Sequence, residues 1–73
     1  VNPTEFAEEL AGLAEFHAGL ARGKAVWLEN FSDGRNKRPD WEIHVKRDQL
    51  AKLERTREVL IWMAGKAREK AAG

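Results

Sequence analysis

VWLENFSDGRNKRPDWEIHV, residues 26–45, is the stretch whose reading decides the fold. Together with Ala25, its first part reads AVWLENF, rich in β-formers, with Val26 and Leu28 on one side of an extended chain and Trp27, Glu29 and Phe31 on the other. Its last part, WEIHV, groups Trp41, Ile43 and Val45 opposite Glu42 and His44. These alternations predict strands at about 25–31 and 41–46, paired as an antiparallel hairpin with one apolar face. Asp33-Gly34 is a two-residue turn signal, and Pro39 interrupts the return strand, so the expected tip covers residues 32–39.

Upstream, Asn2, Pro3 and Glu5 supply an N-cap, a first-turn proline and an acid three residues after the cap, which together start a helix. At about 100° per residue, Phe6, Leu10, Leu13, His17 and Leu20 share a stripe, with Phe16 at its edge and Glu8, Glu15 and Arg22 opposite. The spacing predicts a helix over about 3–22, stopping near Gly23. His17 then reads as a core histidine bonded through a ring nitrogen.

Downstream, Asp48 is an N-cap residue type, and Leu50, Leu53, Arg57, Leu60, Ile61 and Ala64 share a face of a helix expected over about 48–64. The run VLIWMA, residues 59–64, is apolar on every side, so Val59, Trp62 and Met63 point away from the face that Leu53 and Leu60 commit to the core. A helix turn of that kind needs a second covering surface, and exposed Trp and Met are residue types enriched at interfaces. Trp27 and Phe31, which share a face of the first strand with Glu29, join them as expected protein-contact residues. Residues 66–73 form a polar, alanine-rich tail.

The expected architecture is therefore α+β: one small domain over residues 1–73, ordered helix, strand, strand, helix, with a two-stranded antiparallel sheet packed on two helices. A core in a chain this size seldom supplies more than roughly 3–5 kcal/mol without a staple. With no cysteine, disulfides and thiolate metal sites are excluded, and two isolated histidines do not suggest a metal site, so no cofactor is expected. The staple is expected to be another chain. No apolar run approaches the roughly 20 residues of a membrane span, and the first residues lack the segments of a signal peptide, so the reading is a soluble intracellular protein without membrane contact.

Charge is unevenly spread. Residues 1–21 hold four glutamates and no Lys or Arg, whereas residues 22–73 hold thirteen basic and eight acidic groups. That suits either a neighbouring polyanion or oppositely charged copies of the same chain. At the tip, Arg35, Lys37 and Arg38 are placed to touch DNA phosphates without reading sequence, to pair with acidic groups on a partner, or to keep an exposed edge soluble. Catalysis is not expected, for the chain offers no nucleophile elbow, no phosphate-cradling glycine loop and no defensible serine-histidine or paired-carboxylate spacing.

From FHAGL at residue 16 to AKL at residue 53, the chain resembles the gpW family of tailed-phage head-completion, or head-to-tail joining, proteins. The residues that carry the resemblance are the Gly23-Lys24 step before a strand, the Asp33-Gly34 turn, and a return strand leading to a D-x-L helix start at Asp48 and Leu50; the RNKRP loop and the Trp-rich last helix depart from the pattern. The resemblance implies a structural virion protein, made in the host cytoplasm and placed at the head-tail junction. There it would form a ring of its own copies beneath the portal protein, help to retain packaged DNA, touch that DNA non-specifically and offer a platform to the next connector or tail protein. Two alternatives stand beside it: a small dimeric nucleic-acid-binding regulator using the basic tip, and a small phage or plasmid inhibitor of a host protein.

Overall fold

The period-two alternation around residues 26–45 is not expressed as strands. The computed structural model describes residues 2–73, so residue 1 of the expected domain lies outside the described residues, and it forms a helical hairpin. Helix α1 is Pro3–Phe31 and helix α2 is Asp40–Ala72, joined by residues 32–39, with no strand among the described residues. The α+β expectation, with strands at 25–31 and 41–46, is corrected to an all-helical, two-helix architecture. The hairpin is a rod of about 55 × 15 × 14 Å.

Its start is the one the sequence predicts. The Asn2 side chain accepts from the Glu5 backbone N–H at 2.8 Å, Pro3 occupies the first turn, and Glu5 lies at the positive helix end. Gly23 does not stop α1, although a helix-interior glycine costs about 1 kcal/mol relative to alanine. A longer pattern outweighs it. Ala7, Leu10, Ala14, His17, Ala21, Lys24, Leu28 and Phe31 recur at alternating three- and four-residue steps across the whole of α1. In α2 the same steps run through Ile43, Lys46, Leu50, Leu53, Arg57, Leu60, Ala64 and Ala67. Each expected strand is a segment of one of these repeats, and the repeat is stronger than five or seven residues of alternation.

The bend falls where the turn chemistry placed it, between helices instead of strands. The Ser32 N–H donates to the Leu28 carbonyl at 3.0 Å, Gly34 takes φ of 79°, a left-handed conformation suited to glycine, and the Arg38 N–H donates to the Phe31 carbonyl at 2.8 Å. Pro39 then serves as the cap of α2, its carbonyl accepting from the N–H groups of Glu42 and Ile43. Asp40 and Glu42 supply first-turn acid. Asp48, expected as a helix start, lies inside α2 and holds Lys52 one turn on at 2.8 Å. The tail expected after Gly65 is helical to Ala72.

The fully buried residues between the helices are mainly alanine. Ala7, Leu10, Ala14, Ala18 and Ala21 are buried in α1, and Ile43, Ala64 and Ala67 in α2, with no polar residue buried among those described. Cross-helix neighbours fix an antiparallel register: Lys46 lies over the Trp27 ring, Leu20 and Lys24 share a groove with Gln49 and Leu53, and Phe6 shares one with Ala67. Ala7 thus lies level with Ala67, Ala14 with Leu60, His17 with Arg57 and Leu28 with Lys46. Small residues let two helices approach closely, but they remove little apolar area from water. Only Leu10 and Ile43 are large side chains that are buried.

Candidate interaction face

The expected stripe of α1 divides in two. Leu10 enters the seam and His17 is half-buried, its Nδ1 donating to the Leu13 carbonyl at 2.8 Å. Phe6, Leu13 and Leu20, seven residues apart, fall one position before Ala7, Ala14 and Ala21 and stay exposed along one flank. Phe16, beside them on the outer side, is 63% exposed. The alanine repeat at 7, 14 and 21 is the signal that separates seam from flank, and the larger side chains mask it.

Helix α2 adds to that flank. Trp62 and Met63 line a groove with Pro3, Phe6, Lys66 and Lys70, and Val59 is next to Trp62 in a second, outer groove. Trp62 is 64% exposed, with Val59 and Met63 less so. Val45, fourteen residues before Val59, extends the same side toward the bend. The opposite broad face carries Glu8, Glu15, Glu29, Arg47, Glu54 and Arg68 with the exposed Ile61, and Val26 and Trp41 are exposed outside the Phe6–Leu20 flank. Large apolar side chains are concentrated on the first face, among lysines and polar residues.

The margins of the apolar face differ in sign. On the α1 side Glu5 and Glu9 lie beside Gly12 and Leu13, and neither forms an ion pair among the described residues. On the α2 side are Lys52, Lys66 and Lys70. Lys66 Nζ lies 5.6 Å from the Trp62 ring centre and 3.5 Å from Glu69, an exposed pair of the kind that contributes little. Lys52 donates to Asp48, and this hydrogen bond, then the carboxylate charge, raises its pKa above the ordinary 10.5.

The other expected contact residues are placed differently. Trp27 and Phe31 lie against each other within α1 at 5.3 Å between ring centres, and Lys46 of α2 covers Trp27, so both are half-buried by the hairpin itself. At the bend, Lys37 pairs with Asp40 at 3.1 Å and Arg38 with Glu42 at 2.9 Å. Arg35 alone of the three loop cations has no ion pair among the described residues. Arg57 stands in the seam, and Lys46 turns toward Trp27, so these cations do not enlarge one basic patch. No group of His, Asp and Glu among the described residues is arranged to hold a metal ion. No helix is long and apolar enough to cross a membrane among the described residues.

No protein-family profile matches the chain, and no curated protein or solved structure is significantly similar to it.

Proposed function

We propose that this chain is a non-catalytic assembly module, a helical hairpin that works by burying its apolar face against helices of another protein chain. One observation carries this reading: Phe6, Leu13, Phe16 and Leu20 of α1 and Trp62 and Met63 of α2 are exposed on the same side of a rod whose fully buried residues are mostly alanine. Exposed contiguous apolar surface of this kind marks binding sites, and an isolated two-helix unit with a small core needs such a contact to be stable.

The virion connector is a narrower member of the same class. Gly23-Lys24 lies within a helix and Asp33-Gly34 in an interhelical bend, so the strand order that suggested the connector lends it no support, and the exposed face is what remains in its favour. It requires a ring of copies and a portal partner. Less supports a nucleic-acid reader, since two of three tip cations are engaged with Asp40 and Glu42.

The test is a pair of measurements on the purified chain: solution mass by light scattering, and binding of a dye that fluoresces on exposed apolar surface. The proposal expects either an assembly, or a monomer that binds the dye and loses that binding when Leu13 and Phe16 are both replaced by Glu. A stable monomer that ignores the dye would overturn it.

A further inference from the structure

Resting on that reading, we infer that the occupant of the apolar face is the same face of a second copy, with both bends at the same end and α1 of each copy lying on α2 of the other. Three independent features meet in this arrangement.

The first is area. A folded monomer of 8.3 kDa is expected to expose about 4600 Å². This hairpin exposes 5470 Å², so the surplus is about 900 Å². That is close to the share of roughly 800 Å² that each partner contributes to a standard stable interface.

The second is charge. Two identical faces can stack about a two-fold axis either along the rod or across it. An axis across the rod lays α1 on α1 and α2 on α2 and reverses the ends, so Glu5 and Glu9 lie far from the partner's Lys66 and the partner's Lys70. An axis along the rod keeps every level and exchanges the helices. Glu5 and Glu9 then stand level with the partner's Lys70 and the partner's Lys66, because those residues already share a level across the hairpin. Opposite margins meet twice, once on each side.

The third is shape. At the same level as Trp62 of one copy, α1 of the other presents Gly12, around which an added side-chain carbon would meet nothing within 4 Å. Phe16 falls level with the partner's Val59. Trp62 thus lies where the partner's α1 carries no side chain, and two apolar side chains face one another. The product is a four-helix bundle in which each helix runs antiparallel to both neighbours.

Light scattering of the wild-type chain should give twice the monomer mass at micromolar concentration. Phe16→Glu should weaken the dimer by at least about 30-fold, and Glu9→Lys by about tenfold since it occurs twice. Adding Lys66→Glu to Glu9→Lys should restore most of the lost affinity, which only helix exchange between copies predicts. A spin label on Asn36→Cys, in a chain with no other cysteine, reads the arrangement directly. Bends at one end give a label separation of roughly 20–30 Å, set by helix layers about 10 Å apart. Bends at opposite ends give a separation near the 55 Å length of the rod. A dimer with that long separation and no charge-swap rescue overturns the arrangement and leaves the docking face intact. A ring overturns the same-face pairing and a dye-binding monomer overturns the second-copy occupant, whereas a monomer that ignores the dye removes the docking face as well.

Discussion

Lys46 Nζ lies 5.2 Å from the centre of the Trp27 ring, joining α2 to α1 just above the bend. Both residues occur in the stretch that alternates like a strand pair, and in a helical hairpin they become neighbours across the seam. A cation over an indole contributes about 0.5–1 kcal/mol at a partly exposed site. Lys46→Ala should therefore lower unfolding stability by about 1 kcal/mol, counting the lost packing of its stem as well. Urea denaturation at fixed protein concentration checks this, and an unchanged midpoint would mean the pair contributes nothing.

Arg57 occupies a seam position between Leu53 and Leu60, and its Nε is buried without a hydrogen-bond partner. Leaving such a donor unmet costs about 1–3 kcal/mol. Arg57→Leu should raise the denaturation midpoint, with a gain of about 1–2 kcal/mol. A polar seam residue also opposes register slips, so the variant is expected to populate additional oligomers in light scattering. A loss of stability would show that Arg57 has a partner in solution.

Two glycines should respond in opposite directions. Gly23 is in the interior of α1 with open space around its Cα, so Gly23→Ala should stabilise by about 1 kcal/mol. Gly34 has φ of 79°, and Gly34→Ala should cost about 1 kcal/mol. Thermal melts of both variants test the fold itself, because a chain that ended its first helix at Gly23 would gain nothing from alanine there.

The Asp48–Lys52 pair links stability to pH. The hydrogen bond to Asp48 and its charge raise the lysine pKa above 10.5, so the stabilising contribution is fully present below that value and is lost as pH rises through the higher folded-state pKa. The pair is exposed, and the effect on the helix is correspondingly small. Asp48→Asn should flatten the helical circular dichroism signal against pH above 10.5 relative to the parent. A parent already flat there would refute the link.

Several local features were legible in the residues. The Asn2 cap, the bend signalled by Asp33-Gly34 and Pro39, and the exposure of Val59, Trp62 and Met63 all follow from short-range chemistry that tertiary context did not override. The strands were not expressed because AVWLENF satisfies two periods at once. Its alternation spans seven residues, while Lys24, Leu28 and Phe31 continue a repeat that begins at Ala7. A helix boundary signal such as Gly23 or Asp48 is worth about 1 kcal/mol, less than the packing of further turns against a partner helix. The flank of Phe6, Leu13 and Leu20 was mistaken for the seam because side-chain size was weighed above spacing, and the small residues beside it carried the register.

The alanine seam reverses the usual direction of mutational risk. Most cores fail when a side chain is shortened and a void opens. Here Ala7, Ala14, Ala21, Ala64 and Ala67 have almost nothing to lose, so damage comes from growth: one added branch forces the two helices apart along the rod. Substitutions that widen a residue on this line also tilt the outer flank. The tolerance of the chain to change is therefore bounded by how thin its middle must stay.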